Sequence, residues 1–338
     1  MTAVGDYLRT LIHAFGAGWN RFWFTPADVS TLGAVRLGTG IVLAYWLTTF
    51  TPDLVPYFGP NGLAPQATLG NLEAPARNGS LPQVIAQQVR ESLPRPHRWS
   101  FLNLLHTPNE LRAGHAAALA IALLFAVGLF TRVTSVLALV VLLSYLHRGP
   151  VVTAQVEPIL AFVVFYLCLG PAGRAWSLDR WRAQRRHAAV AGRTGGETSA
   201  AANVSLRLIQ VHLAIVYALM AIGKLSSPVW WEGLAVWLLI ARSESRLIDL
   251  TWLHAYPYLI SLWTYLVVLW QGAFPILVWH RLARPLLLVI NAVMWASLAP
   301  VAGMLDFALL MVIASLAFLP QVRLTAFTRP AFAARRTE

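Results

Sequence analysis

The sequence predicts an all-α fold, a polytopic transmembrane helical bundle of about eight spans with a large outer loop between the first two spans. Of its 338 residues, 57% are hydrophobic and only 12% are charged, which is too little polar surface to cover a soluble globule. The 14 Trp residues fit a membrane protein, because indole rings concentrate where hydrocarbon meets the lipid headgroups. The apolar residues also gather into runs of helical-span length.

Eight apolar runs are the predicted spans. They cover about 32–50, 113–131, 133–148, 156–171, 206–224, 258–280, 284–300 and 302–320. Several are shorter than the roughly 20 residues that cross about 30 Å of hydrocarbon, so one pair could instead form a re-entrant hairpin. Prolines fall near the span ends, where a missing N–H costs least. These are Pro52, Pro171, Pro285, Pro300 and Pro320.

The polar segments flanking the 32–320 transmembrane domain predict its topology. Segment 51–112 is rich in Pro, Gly, Asn and Gln and is the expected outer loop, whereas segment 172–205 carries a cluster of arginines. Basic loops stay on the cytoplasmic side of a membrane, so 172–205 is predicted to be cytoplasmic. Counting spans from there places both termini inside, with 1–31 as a cytoplasmic or interfacial segment and 321–338 as a basic tail.

The net charge of +12 does not indicate nucleic-acid binding, because the arginines lie between apolar runs as a positive-inside distribution requires. The single cysteine, Cys168, excludes an internal disulfide framework. The chain contains no G-x-x-x-x-G-K-[ST], H-E-x-x-H or paired C-x-x-C motif, so we predict neither these nucleotide sites nor a metal.

One position departs from the arginine preference of the whole chain. Among 26 Lys and Arg residues, Lys224 is the only lysine. Guanidinium keeps its proton near neutral pH, whereas an ammonium group moved into apolar surroundings can release it and act as a base. Lys224 is therefore the leading catalytic candidate, and the alternative is a snorkelling lysine that anchors a helix end.

The neighbours of Lys224 support a shared functional face. Gln210, Tyr217 and Lys224 recur every seven residues at the end of the fifth predicted span, so they lie on one side of the helix. A polar stripe on an apolar helix usually faces a bundle interior or a cavity.

Around Lys224 the sequence resembles a known signature. Residues 217–233 read YALMAIGKLSSPVWWEG, which is similar to the Tyr, small residues, Lys-Leu, polar turn and Trp-x-x-Gly pattern of the HTTM superfamily, the bacterial relatives of vitamin K-dependent γ-glutamyl carboxylase. Further matching motifs are Pro56 to Gly62, Gly128 to Arg132, Leu169 to Pro171, Trp176 to Asp179, Phe274-Pro275 and Arg284-Pro285. The resemblance extends over roughly 30–320 in the expected order.

The resemblance implies a membrane enzyme of the bacterial cytoplasmic membrane that uses a reduced quinone of the vitamin K or menaquinol type. In the animal carboxylase the matching lysine is the proposed base for the quinol, whose reaction with oxygen yields the base that removes a glutamate γ-proton before carbon dioxide adds. Lys224 would be that base, with Tyr217 and Glu232 as neighbours. We expect the quinone site to include Gln210, Trp230, Gln271 and Trp295.

Two departures leave a second reading open. Gln271 stands where many members carry glutamate, and Met294-Trp295 stands where they tend to carry histidine. The chain could therefore be a non-enzymatic accessory protein for the maturation or export of a secreted peptide. A transporter is less favoured because no pair of broken helices forms an inverted repeat.

Three further polar residues lie near predicted span ends. His147 and Glu157 flank one membrane face and could form an acid/base pair, or could simply be interfacial residues. Arg36 lies just inside the first span, either as a snorkelling cation or as a buried counter-charge for a carboxylate.

Overall fold

The computed structural model describes residues 2–59, 62, 99–149, 154–187 and 198–319. Its α-helices are α1 (Thr2–Phe24), α2 (Val29–Thr49), α3 (Leu54–Phe58), α4 (Pro108–Val127), α5 (Thr131–Arg148), α6 (Val156–Leu169), α7 (Leu178–His187), α8 (Ala200–Leu225), α9 (Pro228–Trp231), α10 (Ala235–Ala241), α11 (Pro257–Leu277), α12 (Ala283–Ala302) and α13 (Leu305–Ser315). The strands β1 (Ala27–Asp28) and β2 (Thr198–Ser199) form one short antiparallel pair. Short 3₁₀ turns cover Phe101–Leu104, Ala172–Arg174, Thr251–Ala255 and Leu316–Phe318. The all-α prediction is confirmed.

Eight of these helices, α2, α4, α5, α6, α8, α11, α12 and α13, pack side by side as an antiparallel bundle. We call the end at which α2, α5, α8 and α12 begin the basic end, and the other the distal end. Five described helices are long and apolar enough to cross a membrane, namely α2, α4, α8, α11 and α12. The apolar α6 and the last helix, α13 with its 3₁₀ turn, are shorter. The chain therefore has the character of a membrane protein.

The helix bounds differ from the predicted spans in several places: α8 begins at Ala200 and not at 206, α13 ends at Ser315 and not at 320, and two further helix ends lie at glycines. The second span was predicted to run to 131, but α4 ends at Val127 because Gly128 adopts a left-handed conformation with φ +75°. The seventh was predicted to end at Pro300, but α12 continues to Ala302 and ends at Gly303, with φ +68°. A left-handed glycine is a common helix terminator because it has no Cβ to clash with the preceding turn.

The N-terminal helix α1 lies outside the bundle core. Large apolar side chains recur along it at helical spacing and are at least half exposed, as in an interfacial helix. They are Leu8, Ile12, Phe15 and Trp19. Its far end is fixed to the basic end of α8, where the Asn203 side chain donates hydrogen bonds to two carbonyl oxygens of α1 at 2.8 and 2.9 Å.

Most of the outer loop 51–112 and the tail 321–338 lie outside the described residues. The described parts of that loop are α3, the 3₁₀ turn Phe101–Leu104 and the first turn of α4. Thr107 and Glu110 form a reciprocal capping box at the start of α4. This cap explains why the helix begins at Pro108, five residues before the predicted apolar span.

Two of the sequence motifs, Gly128 to Arg132 and Trp176 to Asp179, meet at the basic end. The Asp179 carboxylate accepts hydrogen bonds from the backbone N–H groups of Phe130 and Thr131 at 2.9 and 2.8 Å, and from the Thr131 hydroxyl at 2.9 Å. The Asp179 N–H donates in turn to the Gly128 carbonyl oxygen. Asp179 therefore caps α5 from the first turn of α7, 48 residues further along the chain than Thr131.

Arg36 completes this arrangement from α2. It is fully buried and donates a hydrogen bond from Nη2 to the Trp176 carbonyl oxygen. Its Nε and Nη1 atoms have no hydrogen-bond partner among the described residues, and Asp179 is the carboxylate whose charge acts on it. Of the two sequence-based readings, the structure supports the buried counter-charge.

Acid should weaken this cap. Partial burial opposes ionisation of Asp179, but the N–H donors of Thr131 and Phe130 outweigh it and lower the pKa of Asp179. A lowered carboxyl pKa contributes stability above its unfolded value, about 4, and that contribution is lost as pH falls through the folded value. We expect Asp179→Asn to destabilise the protein by about 1–3 kcal/mol at pH 7. Thermal unfolding in detergent at pH 7 and below pH 4 measures this, and a variant whose deficit does not shrink in acid would contradict it.

Candidate functional site

Lys224 lies in the last turn of α8 at the distal end of the bundle. Its side chain is half-buried, and its Nζ lies 4.8 Å from the centre of the Trp230 ring. Within the described ranges it makes no hydrogen bond or ion pair. A cation held over an indole ring is stabilised by the ring face while its N–H donors stay available.

The chain folds back over Lys224 because α8 ends in the Ser-Ser-Pro turn. Pro228 begins α9, where its fixed φ suits a first helical position. The Trp231 Nε1 donates a hydrogen bond to the Leu225 carbonyl oxygen at 2.7 Å, which ties α9 to the end of α8. This tie places the neighbouring Trp230 beside the lysine.

Glu232 was expected to be a neighbour of Lys224. It ends α9 as an exposed residue, and its backbone N–H donates to the Pro228 carbonyl oxygen at 2.9 Å. Within the described structure it forms no ion pair with Lys224. Its role at the end of α9 is therefore that of a capping residue, which the sequence motif alone did not distinguish from a catalytic one.

Tyr217 lies two helical turns, about 10 Å, from Lys224 along α8. It is completely buried, and its hydroxyl donates a hydrogen bond to Asn291 Oδ1 and accepts one from Trp295 Nε1 at 2.7 Å. Its ring stacks on Phe274 with centres 4.0 Å apart and meets Trp270 edge-on at 5.5 Å. The hydroxyl of Tyr217 thus joins α8 to α12 through buried hydrogen bonds, and its ring packs against α11.

Several buried polar atoms on α11 and α12, the helices that pack against Tyr217, lack a partner in the described structure. They are Asn291 Nδ2, Trp270 Nε1 and Gln271 Oε1, and all three side chains are almost fully buried. Unpaired polar atoms at such depth are costly, so they usually bond to water or a ligand. Together they offer two hydrogen-bond donors and one acceptor in apolar surroundings. Of the predicted site residues, Trp295 bonds to Tyr217, and Gln271 follows Trp270 in α11.

Gln210 plays a different part from the one predicted. Its Nε2 donates a hydrogen bond to the Ala317 carbonyl oxygen at 2.6 Å, and its Oε1 accepts one from Arg207 at 2.9 Å. Gln210 therefore cross-links α8 to the last turn of the bundle near the basic end. Two turns of helix separate it from Tyr217, so we assign it a structural role.

His147 and Glu157 do not form the acid/base pair considered from the sequence. The His147 ring nitrogen Nδ1 hydrogen-bonds with the Trp99 carbonyl oxygen at 2.8 Å. The buried Glu157 accepts one hydrogen bond from Trp46 Nε1 at 3.0 Å and another from the Ala154 N–H at 2.7 Å. Glu157 thus connects α6 to α2.

The sequence analysis missed a buried histidine contact at the distal end. The two ring nitrogens of His115 hydrogen-bond with the Tyr145 hydroxyl at 2.7 Å and the Thr51 hydroxyl at 3.0 Å. It also missed Asn291. Both are polar side chains inside apolar helices, and that signal alone marks them for attention.

Comparison of the chain with protein-family models, with curated proteins and with solved structures found no match. The assignment of function therefore depends on the residues and contacts described above. In the described part of the chain, no three His, Cys, Asp or Glu side chains lie together as a metal-binding group.

Removing the Tyr217 hydroxyl should destabilise the bundle. We expect Tyr217→Phe to cost about 1–3 kcal/mol, because Trp295 Nε1 and Asn291 Oδ1 would both lose a buried partner. Thermal unfolding of the purified protein in detergent measures the change. Tyr45→Phe is the matched control, since Tyr45 is 48% exposed on α2. Equal shifts in the two variants would show that the contact contributes nothing.

Proposed function

We propose that this chain is an enzyme of the bacterial cytoplasmic membrane that acts on a reduced quinone, with Lys224 as its base. One observation carries the proposal. The only lysine of the chain is half-buried at a helix end, beside an indole ring, with no carboxylate paired to it in the described structure. A solvated anchor would not require a lysine where the rest of the chain uses arginine.

The distribution of charge supports an orientation with both termini in the cytoplasm. Arginines concentrate in the segments at the basic end, including Arg132, Arg174, Arg180, Arg281 and Arg284. The distal end carries fewer, namely Arg112, Arg148, Arg242 and Arg246 among the described residues, together with Lys224 and the acidic residues Glu232, Glu244 and Asp249. Positive residues near spans stay on the cytoplasmic side, so the lysine would face outward.

The cluster around Tyr217 is chemically suited to a quinol. A quinol ring is apolar with hydroxyl groups at its edges, and the unpaired atoms of Asn291, Trp270 and Gln271 supply matching donors and an acceptor. Lys224 and Tyr217 lie on the same face of α8, so an elongated apolar molecule lying along this helix would contact both. When bound, the quinol supplies electrons for reaction with oxygen and the strong base needed for carboxylation.

Each residue at this site would then have a separate role in the reaction. Lys224 would accept the first proton from a quinol hydroxyl, and Trp230 would hold the ammonium group over its ring face. Tyr217 would orient Asn291 through their hydrogen bond. The apolar rings of Phe274 and Trp270 would exclude water from the site.

The residues at two positions of the signature, Gln271 and Trp295, favour an alternative function, that of an accessory protein. Gln271 and Trp295 lack the acid/base groups of glutamate and histidine, which fits a non-enzymatic accessory protein for a secreted peptide. Such a protein would retain the fold and the buried cluster without turning over a quinol.

Two measurements on the protein purified in detergent distinguish these functions. Organic extraction and mass spectrometry should find a co-purifying quinone. Supplied with reduced vitamin K and oxygen, the protein should form the epoxide faster than heat-inactivated protein does, as measured by liquid chromatography. No retained quinone together with background epoxide formation would reject the enzyme, and a co-purifying secreted peptide would then support the accessory role.

A further inference from the structure

A cleft with polar and apolar walls opens at the basic end, far from Lys224. Its volume is about 650 Å³, within the range of ligand-binding pockets. It lies between the start of α5, the end of α6 and the start of α8. Its polar and charged lining includes Thr131, Arg132, Ser135, Arg174, Asp179 and Ser199.

The charge around this cleft is positive. Arg132 and Arg174 line it and are exposed, and among the described residues of the lining Asp179 is the one with an acidic side chain. The Asp179 carboxylate already accepts three hydrogen bonds from Phe130 and Thr131, and it also interacts electrostatically with the fully buried Arg36. An anion entering the cleft would therefore meet two arginines and a carboxylate whose charge is already compensated.

The cleft also borders the surface that faces lipid. Leu169 lines it and is 49% exposed, and on the adjoining face of α5 Val133 is 60% and Val136 51% exposed. Large apolar side chains exposed on a membrane helix contact acyl chains. The cleft thus lies where a lipid headgroup would be if its chains followed α5.

We propose that this cleft binds a phosphate ester, and that its source is the headgroup of an anionic phospholipid. Arginine suits this chemistry because its planar guanidinium matches phosphate oxygens. The Ser135 and Ser199 side chains add hydroxyl groups to the wall. Basic pockets between membrane helices on the arginine-rich side bind such headgroups. The proposal is independent of any quinol chemistry at the distal end.

Native mass spectrometry tests it on full-length protein released from nanodiscs that contain phosphatidylglycerol and phosphatidylcholine in equal amounts. We expect the parent protein to retain phosphatidylglycerol preferentially. Arg132→Gln should weaken retention about fivefold, the effect of removing one arginine near an anionic headgroup. Ala201→Trp should reduce it further, since Ala201 lines the cleft and indole would fill it without changing the charge.

Arg281→Gln is the matched control. Arg281 is an exposed arginine at the same end of the bundle, between α11 and α12, and it does not line the cleft. We expect this variant to retain lipid like the parent. Lipid retention that is unchanged in Arg132→Gln, or reduced equally in Arg281→Gln, would overturn the proposal. Because Arg132 is exposed, its substitution tests the site even if Ala201→Trp fails to fold.

A second arm distinguishes the source of the phosphate ester. Lipid-free protein in detergent is titrated with glycerol 3-phosphate, and binding is followed as a shift in thermal unfolding. A shift that needs Arg132, with no preference for phosphatidylglycerol, would support the phosphate chemistry and assign the site to a soluble ester. No shift and no lipid preference would reject both sources.

Discussion

Replacing Lys224 by arginine should lower quinol epoxidation at least about 100-fold, the usual contribution of a positioned general base. Guanidinium would keep the positive charge and the position over Trp230, but it would not release its proton at neutral pH. Protein yield and thermal stability should therefore stay close to those of the parent. The measurement is the initial rate of epoxide formation at saturating quinol, with each variant normalised to folded protein.

A second substitution separates a base from an anchor. Lys224→Met removes both the charge and the proton acceptor. If Lys224 is the base, both variants are inactive, and a small primary amine added to the Met variant should restore part of the rate. If Lys224 only anchors the helix end, the Arg variant keeps full activity while the Met variant loses stability. Full activity of Lys224→Arg would therefore exclude the proposed mechanism.

Gly128→Ala should have the largest effect on folding. A Cβ at this position would lie 1.6 Å from Arg36 Nη1 and 2.6 Å from the Ser177 Cβ, and the residue would remain at φ +75°. Displacing a fully buried guanidinium from its hydrogen bond costs roughly 3–5 kcal/mol, and a left-handed alanine adds about 1–2 kcal/mol. We expect little monodisperse protein after detergent extraction, as measured by size-exclusion chromatography.

Gly272→Ala provides the control for this substitution. Gly272 lies inside α11, and a Cβ there would meet no atom within 4 Å. Alanine favours a helix over glycine by up to about 1 kcal/mol, so this variant should be as stable as the parent or slightly more stable. If Gly128→Ala gives as much monodisperse protein as Gly272→Ala, the prediction is wrong. Arg36 would then tolerate displacement, and the cap at Asp179 would not depend on the position of the Arg36 side chain.

The fold class followed from the chain alone because hydrophobic composition and helical periodicity act locally. Each apolar run forms its own backbone hydrogen bonds, so spans such as 258–280 and 284–300 could be located before their neighbours were known. The helix ends were less exact, since a single left-handed glycine such as Gly128 moved an end by several residues. The identity of Lys224 as the only lysine needed no structure at all.

The sequence by itself determined the membrane character, the approximate spans and the leading catalytic candidate. Only the tertiary structure decided which polar groups meet. Tyr217 bonds with Asn291 and Trp295, which lie 74 and 78 residues away, and Glu157 bonds with Trp46 instead of pairing with His147. Such contacts depend on the rotation and crossing of packed helices, which the periodicity of any one helix does not encode.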